Sequence, residues 1–322
     1  MSKTGKKWLI AAAVLVALGL IIFAVGMTAC GWNFSKLGTV TYVTHTCEVD
    51  DDFDKISIDV DTTEIAFVPA GDETCRIVCY EEEKVKHSAT VHDGTLVIDT
   101  LDTRTWNDYI GISLEIPKMT VYLPQEEYVS LFIETATGDI SIPQDFAFQT
   151  IKIEGDTCDV ECFASVSDVM EVELSTGALY VDTISAGRLN ITTSTGDIQV
   201  NSATVNGNID IKTDTGTVKL TDVSCTDFSA ESSTGMIALQ NVVAEGTLSA
   251  ESDTGDVRLE ESDAAQISVR TDTGAVTGTL LSEKVFITET DTGRIDVPKS
   301  TSGGKCEITT ETGDIKVDIS IE

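Results

Sequence analysis

Short alternations of apolar and polar residues run through positions 131–317 and restart every 19 or 20 residues. A Thr-Gly dipeptide marks the restart at Thr137-Gly138, Thr176-Gly177, Thr195-Gly196, Thr215-Gly216, Thr234-Gly235, Thr254-Gly255, Thr273-Gly274, Thr292-Gly293 and Thr312-Gly313, while Thr157-Cys158 keeps the register with Cys in place of Gly. Seven residues before the Gly position stand Leu131, Ile151, Met170, Leu189, Ile209, Phe228, Leu248, Ile267, Phe286 and Cys306. Two after it stand Ile140, Val160, Leu179, Ile198, Val218, Ile237, Val257, Val276, Ile295 and Ile315. Alternation with period two is the mark of a strand with one buried face. The buried parity is odd before the Gly and even after it. The chain must therefore turn a corner at the dipeptide, where Gly supplies the permissive dihedrals. A weaker third segment, such as Ala203/Val205 or Val223/Cys225, carries a second corner.

Identical columns at a fixed period predict an all-β fold, a single-stranded parallel β-helix or β-solenoid with 19–20-residue rungs. Like stacks on like at about 4.8 Å, so ten such rungs make a rod about 50 Å long. A single rung buries too little to stand alone, and stacking makes the core continuous. The Thr before each corner shares the odd parity of the apolar columns. That predicts an inward threonine ladder, with hydroxyls bonded to corner backbone and methyls packed. By the same parity the Thr-x-Thr strings, such as Thr193/Thr195 and Thr271/Thr273, point inward and present no flat threonine face to solvent.

The chain divides into a basic tail (1–7), an apolar span (8–29), a connector (30–50), an irregular β section with a hairpin that caps the rod (51–130) and the regular rungs (131–322). In the cap, Ile56, Ile58, Val60, Thr62, Ile65 and Phe67 fit the rung template if Thr63 takes the Gly place, and Asp93-Gly94 reads as a hairpin turn. The C-terminal IKVDISIE shows no added cap, only the charges of Lys316, Asp318 and Glu322. Trp8–Ala29 is a 22-residue uncharged run, enough as a helix to cross a ~30 Å hydrocarbon core. Lys3, Lys6 and Lys7 precede it and acids dominate after it, which predicts a single-pass membrane protein with a cytoplasmic N-terminus and an extracellular remainder. A cleaved signal peptide and a lipidated Cys30, in a loose lipobox Met27-Thr28-Ala29-Cys30, are alternatives that deliver the rest to the same side. Trp32 and Phe34 in the connector are candidate interface residues.

Composition narrows the partners. The net charge is −33; the first 30 residues hold three lysines and no acid, leaving 18 basic against 54 acidic groups, or −36, for the remainder. Such a field repels nucleic acid and favours cations. The eight cysteines show no CxxC or zinc spacing and the three histidines no ligand pattern, so the cysteines read as small core residues.

The lysine-flanked anchor, the FSKL connector, the DGTLVI hairpin, the YLP segment and the repeated S/T-x-T-G-D-I-x-V rungs together resemble the putative-adhesin family of β-strand-repeat domains, found in bacterial envelope proteins with an N-terminal membrane anchor. The resemblance covers roughly residues 50–320. It implies the solenoid fold and a place at the cell envelope, and it carries no catalytic residues.

Candidate chemistry is sparse. Two residues before the Gly, Asp253, Asp272, Asp291 and Glu311 stack carboxylates in four neighbouring rungs, a candidate cation-binding column or a solvated acidic edge screened by Arg258, Arg270 and Arg294. Glu251, Arg270 and Glu289 form a candidate exposed ion-pair ladder. Trp106-Asn107-Asp108-Tyr109 is a candidate binding loop. No Ser-His-Asp set, paired histidines or cofactor motif occurs. The expected function is a non-enzymatic binding or structural module, membrane-held through Trp8–Ala29, whose partner is an envelope polymer or another membrane protein. An accessory or sensor subunit of a regulatory membrane complex and, more remotely, a glycan-active enzyme are the alternatives.

Overall fold

A computed structural model describes residues 3–29, 31–32, 40–72, 74–106, 108 and 115–320. Helix α1 (Lys3–Ala29) contains an apolar stretch, Lys7–Ala29, of 23 residues, long enough to cross a membrane. Its large side chains, from Trp8 to Val25, are exposed. Cys30 and Phe34 lie outside the described residues.

Beyond the helix the chain is all β, and every rung-to-rung pairing in the regular section is parallel. Each rung has three faces. The first ends at the Thr-Gly corner. The second is short, as in Ile198–Val200, and ends at a residue in the left-handed region: Thr183, Ser202, Asp222, Asn241 or Glu261, with φ of 55°, 50°, 55°, 51° and 49°. The third carries the inward pairs Ile184/Ala186, Ala203/Val205, Val223/Cys225 and Val242/Ala244, all buried. Apolar columns from the three faces meet in one continuous core.

Glycine at the first corner answers to stacking more than to turning. At Gly216 (φ 154°) a Cβ would lie 2.0 Å from the carbonyl oxygen of Gly196, and at Gly235 (φ 156°) 1.8 Å from that of Gly216. A side chain at either of these glycines would push adjacent rungs apart.

The threonine ladder sits elsewhere than parity predicts. Every Thr immediately before a corner, from Thr137 to Thr312, is exposed. The buried hydroxyl column stands three residues before the Gly: Thr135, Thr193, Thr213, Ser232, Ser252, Thr271 and Thr310. Ser252, Thr271 and Thr310 donate to the corner carbonyls of Gly235, Gly255 and Gly274 at 3.1, 3.0 and 3.0 Å. The reason is local. The ladder omits the residue two before the Gly, as in Thr193↔Thr213 followed by Thr195↔Thr215. The chain swings outward there, and two consecutive side chains face solvent. In each Thr-x-Thr string the first residue is inward and the second outward.

Rung order departs from chain order at both ends. Strand Val257–Thr273 pairs with Gly304–Thr312, and Lys284–Thr292 lies beyond it, paired only with Gly304–Thr312. The final strand, Ile315–Ile319, is likewise sandwiched between Val276–Leu280 and Ile295–Asp296. Among the described residues the terminal edge is therefore the 284–297 rung, where Ile287 and Ile295 are exposed, and not Ile315–Ile319. Lys284 clasps this arrangement. Its ammonium is buried and bonds Asp263 at 2.5 Å, its stem passing Gly304, where a Cβ would lie 3.7 Å from Lys284 Cδ.

At the other end the cap strands are β1 (Tyr42–Val49), β2 (Lys55–Thr62), β3 (Glu64–Pro69), β4 (Cys75–Glu82), β5 (Val85–His92), β6 (Thr95–Asp102) and β7 (Lys118–Leu123). The β2–β3 rung stacks directly on Glu127–Thr137 and Ile140–Ile142, although β6 and β7 come between them in the chain. The β6–β7 rung stacks outside β2–β3. Thr63 occupies the corner position, donating its N–H to Thr137 O at 2.8 Å. The hairpin β5–β6 turns at Asp93 and Gly94, with φ of 50° and 74°. Strand β1 falls within the span read from sequence as a connector; it pairs antiparallel with β4, which pairs antiparallel with β7.

Candidate functional site

The outward swing before each corner leaves a trough along the first face. Its walls are the columns four and two residues before the Gly, and its floor is the inward residues between them, mostly Thr and Ser with Gly155 and Leu174 at the cap end. At the cap end it forms a groove of about 420 Å³ over successive rungs, lined by Asp59, Asp61, Glu134, Glu154, Asp156 and Glu173 among others. Lys152 pairs with Glu154 and Glu171 at 2.8 and 3.1 Å and offsets part of this charge. Further along, the trough reopens at Glu231, Ser233, Glu251 and Asp253.

The carboxylate column predicted from sequence lies on this face in altered order. With the last rungs exchanged, Asp272 is followed by Glu311 and then Asp291. Arg270 bonds Glu251 at 3.7 Å and Asp272 at 3.5 Å, and its stacking neighbour on the other side is Thr309 rather than Glu289. Among the described residues the one group of three or more metal-ligating side chains that converges within 4.8 Å lies elsewhere. In the predicted binding loop Trp106 is exposed, and Asp108 bonds Lys84 at 2.5 Å and accepts from Thr105 N and Oγ1 at 2.7 and 2.9 Å. The Lys84 bond, followed by the Thr105 bonds, lowers the Asp108 carboxyl to about 2. Asn107 and Tyr109 lie outside the described residues.

The convergent group is in the cap: Cys79, Glu81 and His87, all buried. Sequence reading found no ligand pattern for the histidines, because the group is assembled from β4 and β5, with His45 of β1 bonded to it. Cys79 and Glu81 alternate inward on β4, His45 stands opposite Cys79 on β1, and His87 comes from β5 just past the β4 turn. Glu81 is 0% exposed, and its Oε1 bonds His45 Nδ1 at 2.9 Å while its Oε2 bonds His87 Nδ1 at 2.7 Å and accepts from the His87 N–H at 2.8 Å. The far nitrogens are also held: His45 Nε2 contacts Cys47 Sγ at 3.1 Å, and His87 Nε2 contacts Thr63 Oγ1 at 3.2 Å. Burial, with the Glu81 charge beside it, pushes the Cys79 thiol up to about 12. A cavity of about 250 Å³ reaches His87 past Thr63, Thr100 and Val85.

The molecule is thus a three-faced parallel β-solenoid with an acidic longitudinal trough and a closed N-terminal cap. The chain belongs to the family described as Toastrack DUF4097, which matches residues 53–317. Among solved structures, a putative adhesin from Bacteroides fragilis NCTC 9343 is 14% identical, covering 87% of this chain and 97% of that one at a TM-score of 0.37. A putative adhesin from Parabacteroides distasonis ATCC 8503 is 12% identical, covering 85% and 98% at a TM-score of 0.41. A putative lipid binding protein from the same organism is 18% identical, covering 76% and 98% at a TM-score of 0.39. No curated protein matches the chain.

Proposed function

We propose that this protein is a non-enzymatic binding and structural module of the cell envelope, held at the membrane by α1 and displaying its solenoid on the outer face. The observation that carries this reading is the repetition of one exposed pattern at rung intervals. Glu134, Glu154 and Glu173 stand side by side in adjacent rungs, each followed by an inward residue (Thr135, Gly155 and Leu174) and then a second outward residue. A surface with a fixed repeat suits a ligand with a repeat of its own, and carboxylates select hydroxyl, amine or cation-bridged groups. A wall polymer has that chemistry. The lysines in the first turns of α1 and the acids after it support an inside-to-outside orientation.

Replacing residues 8–29 by an unrelated transmembrane helix tests the reading. An envelope module keeps both its surface exposure to added protease and its cellular phenotype. Loss of the phenotype with exposure retained would instead indicate a subunit that pairs through its helix with another membrane protein.

A further inference from the structure

We propose that Cys79, Glu81 and His87 form a binding site in the cap for one divalent transition-metal ion of the zinc type, with His45 holding the carboxylate by its other oxygen. The donor set is one thiolate, one carboxylate and one imidazole, with the fourth position open to water, which suits a borderline-soft ion of tetrahedral preference rather than calcium or magnesium. The ligand atoms of Cys79, Glu81 and His87 all lie within 4.8 Å of one another. Tetrahedral coordination at ordinary bond lengths places neighbouring donors about 3.4 Å apart. The contact between His87 Nδ1 and Glu81 Oε2, at 2.7 Å, needs to open by only about 0.7 Å to reach that spacing, a shift within side-chain rotation.

Three further features fit. First, both imidazoles turn Nδ1 toward the same carboxylate, while Cys47 and Thr63 hold their Nε2 atoms from behind. Fixing the far ring nitrogen is how proteins orient a ligating histidine. Second, among the described residues Glu81 has only the two imidazoles as ion-pair partners, despite being 0% exposed. A dication bound to one thiolate and one carboxylate gives a neutral unit, removing the cost of burying a net charge. On binding, the Cys79 sulfur forms the metal bond and its proton leaves to solvent. Third, the cavity beside His87 gives access from outside. Bound metal would tie β4 and β5 together, with β1 held through the His45–Glu81 bond, and so lock the cap end of the solenoid.

The test is a cobalt(II) titration of the chelator-treated, detergent-solubilised full-length chain, followed by absorption. The proposal predicts a thiolate-to-cobalt charge-transfer band with tetrahedral d–d bands, saturating at one equivalent and bleached by zinc. Cys79→Ser abolishes the charge-transfer band, whereas Cys306→Ser, in the core of the rungs, leaves it unchanged. Thr63→Ala weakens cobalt binding roughly 10- to 100-fold without removing a ligand. Cobalt held only by surface carboxylates shows no sulfur band. That spectrum in the wild-type chain, or an unchanged band in Cys79→Ser, overturns the proposal, and the wild-type spectrum decides even if Cys79→Ser fails to fold.

Discussion

The rung that ends at Thr157-Cys158 differs from its neighbours at two positions that answer each other. In the other regular rungs the corner is Gly and the inward residue three before it is mostly Thr or Ser; here the corner is Cys158 and the inward residue is Gly155. Cys158 is buried, and a Cβ built on Gly155 would lie 2.3 Å from its Sγ and 3.2 Å from Leu174 Cδ2. One volume is thus filled from the corner instead of from the strand. Cys158→Gly deletes two buried heavy atoms and should cost roughly 2 kcal/mol. Gly155→Thr drives three heavy atoms into occupied space and should cost about 1–3 kcal/mol. If the sites were independent, the double variant would lose about 3–5 kcal/mol. The exchange predicts recovery to within about 1 kcal/mol of wild type, a coupling near 3 kcal/mol. Urea unfolding of the full-length chain in detergent, followed by circular dichroism, measures all four proteins. Additivity within about 0.5 kcal/mol would refute the reasoning.

Other consequences are as direct. Amides of Gly304–Thr312 should exchange at least about tenfold more slowly than those of Lys284–Thr292, although they lie nearer the C-terminus, because they are paired on both sides; the opposite order would contradict the exchanged rungs. Thr271→Ala, which strands the Gly255 carbonyl, should cost about 1–3 kcal/mol, while the exposed Thr273→Ala should stay within about 0.5 kcal/mol, both read from urea midpoints. Burial pushes the Cys225 and Cys306 thiols from 9.0 up to about 12. Raised folded-state values leave stability intact below about pH 9 and erode it as pH climbs toward 12. Alkylation of these two thiols at pH 8 should therefore wait on unfolding, and fast labelling of the native chain would count against their burial.

The stacked core was legible because inward columns such as Leu131 to Cys306 repeat the same chemistry at a fixed period, and periodicity survives any uncertainty about turns. The features that escaped are those periodicity cannot express. Counting by twos placed Thr195 and Thr215 inside; the outward swing at Ser194 and Asp214 breaks the count and leaves no distinctive residue behind. The second corner uses Thr183, Ser202, Asp222, Asn241 and Glu261, so no glycine marks it. Rung order is invisible because exchanging the 284–297 and 304–319 rungs preserves every apolar column; only the buried Lys284 and the side-chain-free Gly304 hint at it. The cap cluster needs His45, Cys79, Glu81 and His87 from three strands, and their spacing along the chain follows strand pairing instead of any ligand motif. The acidic face was visible as a column of charges, but the trough behind it depends on that same outward swing.

The most direct test of the envelope-module reading is retention of the full-length chain, reconstituted in vesicles with the solenoid outward, on isolated cell-wall material. The account predicts that wild-type vesicles are retained and that a variant with Glu134, Glu154 and Glu173 changed to Gln and Asp156 to Asn is released, while remaining folded by circular dichroism. Absence of retention by the wild type, or equal retention of the variant, would contradict the claim that the acidic trough is the binding face.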